Sequence, residues 1–566
     1  MLPRILFAVL IVFTLPVDAE SRGAETFSNP IIPGFAPDPS IVRVGEDFYL
    51  INSTFEYFPG IPIYHSRDLI NWELIGYALH DEEQVDLDTL SSGSGIHAST
   101  IRYHDGLFYI ITTNNIDGEL VNFVVTAEDP KGPWSDAIVI EGAPGIDPSL
   151  LFDDDGRVWY TGNHVPPDPA FNGEMEIWLQ ELDSETLQLK GERYFLWRGC
   201  CQGAYAEGPH IYKKDGFYYL LISEGGTAFE HAMSVAISED ITGPYLNNPR
   251  NPVLSHRQLT YDHPITGVGH ADIVELADGR WYAVALGWRL VDGRHGILGR
   301  ETFLLPMTWE TEPYWWKEPK YTWPVFSPET GRVELRFPTP FADTSQRDSL
   351  VPFEDDFDGD ELGLEWNMRR THDAPFHALE DGSLRLDLQP GHLDDHGRYS
   401  FLGVRQRHFE YLAQTEMRFE PRSDGEEAGV AVMQNDRSAI LFTRTRVGGE
   451  DRLRVYRSFH GEVEEIASAE YGDDLVHLRV GGDYLDLDFS YSADGQTWTT
   501  IAEDVDGTTL SPAVIHGFNY TGLYLGVFAS SNGNETGNRA DYGYFRYTPR
   551  VASRDAWYHR QIGRAD

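Results

Sequence analysis

The sequence predicts an all-β protein, a five-bladed β-propeller followed by a β-sandwich, and three observations carry that reading. One pattern recurs five times before residue 340: a polar or Pro/Ser start, an apolar pair, a turn with Asp and Gly, then an aromatic-rich strand. Amphipathic helical periodicity is absent, and short runs of β-branched and aromatic residues stand between turn signals instead. With 566 residues, the chain also exceeds what one ordinary core accommodates.

In chain order, the first element is a leader. Arg4 supplies a charge, residues 5–15 an apolar run, and Val17-Asp18-Ala19 a small-residue cleavage site, so residues 1–19 read as a signal peptide. The run is about half the roughly 20 residues a spanning helix needs. The expected protein is therefore secreted or periplasmic, with no membrane contact after cleavage.

The repeats follow, in a domain expected over residues 29–340. They run from Asp38-Pro39-Ser40 to Phe48-Tyr49, from Thr100-Ile101 to Phe108-Tyr109, and from Asp147-Pro148-Ser149 to Trp159-Tyr160. The fourth runs from Glu207-Gly208-Pro209-His210 to Tyr218-Tyr219 and the fifth from His270-Ala271-Asp272 to Trp281-Tyr282. Their closing tyrosines recur every 51 to 63 residues, the length of a propeller blade. Asp38, Asp147 and His270 each stand two positions before a matched polar residue, Ser40, Ser149 and Asp272, while Glu207 falls one position earlier in its repeat. In a propeller such slots surround one axis, so three carboxylates distant in sequence converge on one central pocket.

A linker rich in Pro, Thr, Ser and charge is expected at 337–352. Alternating strands such as Gly382-Ser383-Leu384-Arg385-Leu386-Asp387-Leu388, separated by turns such as Ser492-Ala493-Asp494-Gly495, then predict a sandwich over 353–548. A frayed polar tail is expected at 549–566.

Composition narrows the partners. With 44 Lys and Arg against 90 Asp and Glu, the net charge of −46 repels nucleic acid and anionic lipid and suits a neutral substrate. The two cysteines, Cys200 and Cys201, are adjacent, which excludes both a disulfide framework and a CxxC metal site. They remain either two small buried side chains or a vicinal, oxidisable pair. P-loop, nucleophile-elbow, GxGxxG and HExxH motifs are absent. Glycosidic cleavage needs an acid for the leaving oxygen and a base or nucleophile across the ring, and a third carboxylate beside the acid raises its pKa. The three converging carboxylates suit that task.

At these residues the chain resembles glycoside hydrolase family 43, the β-xylosidase and α-L-arabinofuranosidase family. The resemblance rests on Asn29-Pro30-Ile31-Ile32-Pro33-Gly34-Phe35-Ala36-Pro37-Asp38-Pro39-Ser40, Phe55-Glu56-Tyr57-Phe58-Pro59-Gly60-Ile61-Pro62 and Gly145-Ile146-Asp147-Pro148-Ser149. Ala206-Glu207-Gly208-Pro209-His210, Gly269-His270-Ala271-Asp272 and Gly299-Arg300-Glu301-Thr302-Phe303 complete it, and it extends over residues 29–547. It implies a concanavalin-like second domain of the β-xylosidase type. It also implies an inverting hydrolase that releases terminal xylose or arabinose from xylan, arabinoxylan or xylo-oligosaccharides.

By that resemblance Asp38 is the general base, Glu207 the general acid and Asp147 the residue that orients Glu207 and tunes its pKa. Arg300 binds sugar hydroxyls, and His270 sits near the axis, where some relatives contact calcium; no cofactor is otherwise implied. Phe55 and Phe123 are candidates for stacking on sugar faces. In the stretch Phe518-Asn519-Tyr520-Thr521-Gly522-Leu523-Tyr524, Phe518 or Tyr520 is the sandwich aromatic expected to close the pocket for an exo-acting enzyme. One departure bears on specificity. Relatives commonly read Trp-Ala-Pro-Thr-Ile in the second blade, whereas this chain reads His97-Ala98-Ser99-Thr100-Ile101. An exo-1,4-β-xylosidase is the first expectation, an α-L-arabinofuranosidase the alternative, and a non-catalytic carbohydrate-binding propeller the alternative from another class.

Overall fold

The computed structural model describes residues 25–550 except 202, 262, 314–319, 343, 348–349, 394–397 and 516–518, together with Trp557 and Gln561. The expected leader at 1–19 lies outside the described residues. Among the described residues no helix is long and apolar enough to cross a membrane.

Five antiparallel sheets form the blades. The first contains Ser40–Val44, Asp47–Ile51, Gly60–Ser66 and Glu73–Leu79; the last contains Ile265–Glu275, Trp281–Arg289, Arg300–Thr311 and Thr322–Phe326. The repeat pattern explains the leading hairpins. The polar start lies at the axis, the apolar pair enters the space between blades, and the Asp/Gly turn reverses the chain. At Asp105-Gly106 both φ values are positive, +49° and +88°, the geometry of a tight hairpin that asks for a glycine in second place. The innermost strands Ser40–Val44, Thr100–His104, Ser149–Phe152, Glu207–Lys214 and Ile265–Glu275 are successive neighbours, and the last lies beside the first to close the ring.

Closure reaches beyond the expected boundaries. Thr26–Ser28 pairs with Arg336–Pro338, and Phe27 packs on Phe337 with ring centroids 6.1 Å apart. The Asn29 amide donates to the carbonyls of Leu304 and Glu334, at 2.8 and 3.0 Å. Phe337, expected to open the linker, is therefore a buried strand residue.

Among the described residues the second unit is a sandwich of two eight-stranded sheets. One of them takes its edge strand from the propeller: Tyr57–Phe58 pairs with Asn367–Arg369. Beneath this joint lies a buried ion cluster. Arg369 Nη2 reaches Glu56 Oε1 at 2.9 Å and Asp436 Oδ2 at 3.2 Å, while Arg370 also pairs with Asp436. The expectation of a frayed polar tail fails at Trp557. Its indole is buried against Phe409 and donates to the Leu290 carbonyl at 2.9 Å, because an apolar ring that size is driven from water wherever the chain lets it reach the core.

Candidate active site

Asp38, Asp147 and His270 have φ of +51°, +55° and +48°. Left-handed backbone at residues with a Cβ carries strain on the order of 1–3 kcal/mol each, held here by the surrounding blades. The matched slot in the fourth blade is Gly208, with φ +56°. A Cβ at Gly208 would lie 3.0 Å from His270 Cε1. The slot must stay empty for the imidazole, and this explains why the carboxylate of the fourth blade, Glu207, stands one position earlier.

Two residues further along the strands the same blades build a polar floor. Ser40 Oγ donates to Asp272 Oδ2 at 2.6 Å, Arg102 Nη1 reaches the same oxygen at 2.9 Å, and the Tyr212 hydroxyl donates to Oδ1. Arg102 Nη2 lies 3.0 Å from His210 Nδ1, and Ser149 Oγ 3.1 Å from it. Burial raises the pKa of the Asp272 carboxyl, but Arg102 and the hydrogen bonds outweigh it and hold this acid well below the ordinary range.

Above the floor, the three carboxylates share one pocket. Asp38 Oδ2 accepts from Ser53 Oγ at 2.6 Å and Oδ1 from Arg300 Nη1 at 3.0 Å, with His270 Nδ1 3.6 Å away. Burial pulls its pKa up, yet Arg300, His270 and Ser53 prevail and it lies below the usual value. Asp147 accepts from the Gly208 amide at 3.1 Å, and burial, reinforced by Asp38, pushes its pKa up to about 6. Glu207 is raised well above the ordinary range by burial first, then by Asp147 and Asp38. Three neighbouring acids thus have split affinities for protons.

The pocket is a small cavity of about 70 Å³ that opens to solvent. Phe55 stacks on Tyr520, with centroids 5.1 Å apart and planes 16° off parallel. The Arg300 guanidinium lies 5.6 and 5.4 Å from these two rings. Tyr520 belongs to the sandwich, so the second domain supplies a wall of the propeller's pocket. Its loop approaches closely because Gly522 and Gly299 have no side chains: a Cβ at Gly522 would lie 2.3 Å from the Leu298 carbonyl oxygen.

Of the residues predicted from the sequence, Asp38, Asp147, Glu207, Arg300, His270, Phe55 and Tyr520 meet in this pocket. Phe123 does not. It lies on Glu119–Ala127, buried in an apolar cluster with Ile101, Phe108 and Trp134, because alternation along that strand turns it between blades. Phe518 lies outside the described residues. Thr227 and Ile146 also line the pocket, Thr227 from a loop without a repeat signal. His97, noted in sequence only as a departure, stands against Phe55 at 5.2 Å, and burial lowers its pKa to about 4. The adjacent cysteines are joined as a vicinal disulfide six residues before Glu207, and the Cys200 amide donates to Glu224 Oε2 at 2.9 Å. Among the described residues no three His, Cys, Asp or Glu side chains are grouped to hold a metal ion.

Comparisons with known proteins identify the family and the domain order. The family model described as glycosyl hydrolases family 43 matches residues 27–313, and that of the beta xylosidase C-terminal concanavalin A-like domain matches residues 354–548. The chain is 40% identical over 535 residues to a xylosidase/arabinosidase of Butyrivibrio fibrisolvens, covering 92% of this chain and 98% of that protein. It is 36% identical over 546 residues to a non-reducing end alpha-L-arabinofuranosidase of Bacteroides ovatus, covering 95% and 98%. The crystal structure of xylan beta-1,4-xylosidase from Bacillus halodurans superposes with a TM-score of 0.84 at 31% identity, covering 92% of this chain and all of that one.

Proposed function

The chain belongs to glycosyl hydrolases family 43 and is a glycosidase, and we propose that it removes terminal xylosyl units from β-1,4-linked xylan fragments with inversion at the anomeric carbon. The observation that carries the reading is the split between Asp38 and Glu207 in one pocket, one held ionised by Arg300 and the other held protonated by burial.

The chemistry follows from that split. Asp38 takes a proton from a water, which attacks the anomeric carbon. Glu207 gives its proton to the departing glycosidic oxygen, and the electron pair of the broken C–O bond stays with that oxygen. The base ends protonated and the acid ionised, and exchange with solvent resets both. Asp147 raises the pKa of Glu207 by like-charge repulsion. Arg300 lines the pocket, and its Nε and Nη2 have no partner among the described groups, which suits it to sugar hydroxyls. Tyr520 and Phe55 form a wall that favours a chain end over a chain interior, so the action is exo. His270 packs over Gly208 and helps hold Asp38 ionised; calcium has no assigned part here. Release outside the cytoplasm, through the leader at 1–19, belongs to the same proposal.

A second reading, α-L-arabinofuranosidase, is favoured by His97, which faces the pocket where relatives commonly carry Trp, and by the relatives' names, which span both activities. Initial rates on aryl β-xyloside and aryl α-L-arabinofuranoside decide between them. A clear preference for the arabinofuranoside replaces the first reading with the second. Proton NMR of the first-formed sugar tests inversion, and a product with the substrate's configuration overturns it.

A further inference from the structure

His231 immediately precedes Ala232–Ser238, the third strand of the fourth blade, and is fully buried. Its Nδ1 lies 3.3 Å from the Gly267 carbonyl oxygen. A carbonyl only accepts, so Nδ1 carries the proton and Nε2 bears a lone pair. That Nε2 has no hydrogen-bond partner among the described groups, and Glu207 Oε1 lies 4.0 Å from it. The ring lies against Gly269, where a Cβ would come within 2.7 Å of Nε2, so the backbone is shaped around this imidazole.

A buried nitrogen lone pair without a donor is costly, on the order of 1–3 kcal/mol, and the adjacent carboxyl is the group that relieves it when protonated. At 4.0 Å the two do not hydrogen-bond, but that lone pair has no other partner among the described groups, so the carboxyl is the group it meets. If Glu207 loses its proton, Oε1 and Nε2 face each other as two acceptors. The imidazole cannot answer by charging, because burial, His270 and Arg300 press its pKa down to about 3, against a weaker pull from Asp38.

We infer that His231 is a positioning residue for Glu207: a neutral imidazole whose Nε2 lone pair disfavours the ionised acid and so retains the proton until a leaving oxygen arrives. The inference rests on Glu207 as the acid. The groups that face Glu207 are then Asp147 and Asp38, which raise its pKa, Arg300, which lowers it, and Tyr520 and His231.

The test compares a substrate that needs the acid with one that does not. His231→Gln places an amide N–H donor at the Nε2 position beside Oε1, which favours the carboxylate. On a xylo-disaccharide the basic limb of kcat/KM should move down by about one pH unit, and kcat at neutral pH should fall about tenfold. On a 2,4-dinitrophenyl glycoside, whose leaving group needs no proton, kcat should stay near wild type. His231→Phe fills the space but removes the lone pair, so it should also move the limb down, by less than a donor does. An unmoved limb in the Gln variant, equal losses on both substrates, or an upward movement in the Phe variant overturns the proposal. Should the wild-type enzyme cleave neither substrate, the function reading itself fails, a separate result from the failure of His231.

Discussion

Two buried acidic clusters lie on the same axis, built by the same five strands two residues apart, and they behave in opposite ways. In the floor, Asp272 is met by Ser40, Arg102, Tyr212 and the Ile41 amide, so its charge is satisfied. In the pocket, among the described residues, only Asp38 has a guanidinium partner, while Asp147 keeps one backbone amide and Glu207 faces a lone pair. Depth does not distinguish them, since both are buried. The number of donors aimed at each carboxylate does. A fully partnered carboxylate serves as structure, and an under-partnered one beside others holds a proton it can give away.

The largest expected effect breaks the pocket cluster. Glu207→Gln and Asp38→Asn should each lower kcat by about 10²–10⁴ on disaccharides, with circular dichroism unchanged; turnover near wild type for either would falsify its assigned role. Next comes the floor. Arg102→Met leaves Asp272 buried and uncompensated and should reduce unfolding free energy in urea by about 3–5 kcal/mol. An unchanged midpoint would mean that Asp272 does not depend on that ion pair.

Proton linkage gives the two clusters opposite signs. The pKa of Asp272 is depressed in the fold, so its stabilisation is present above the unfolded value near 3.9 and is lost as pH falls through the folded value. Those of Asp147 and Glu207 are raised, so between about 4 and about 6 the folded state binds more protons and stability declines as pH rises. Glu207→Gln should flatten that decline, and urea midpoints that keep the wild-type slope would contradict it. A smaller shift is expected for Asp147→Asn, where loss of a repelling charge should move the basic limb of kcat/KM downward. The mildest is Tyr520→Ala, which removes a ring worth ~1 kcal/mol beside Arg300 and should raise KM about fivefold on short substrates. Wild-type kinetics there would leave the sandwich as scaffold.

Much of this was legible before folding. Asp38, Asp147 and Glu207 could be gathered from repeat spacing, because blade strands bring matched slots to one axis. Tyr520 was reachable only through family resemblance, since nothing in its local pattern separates a pocket wall from sandwich core. Phe123 was misplaced for the same reason: an aromatic on an alternating strand has two faces, and spacing does not say which one meets a cavity. His97 was visible as a departure, but its contact with Phe55 depends on a turn of chain forty residues away.

By itself, the sequence determined the blade count, the two-domain order and the meeting of three carboxylates, because alternation, turn chemistry and repeat length are local and survive without tertiary knowledge. The tertiary structure decided the rest: that Gly208 leaves room for His270, that Trp557 returns to the core, that Tyr57–Phe58 joins the sandwich sheet. It also decided which acid keeps its proton. That depends on burial and on every charge within several ångströms, a sum over residues distant in sequence that no single motif contains.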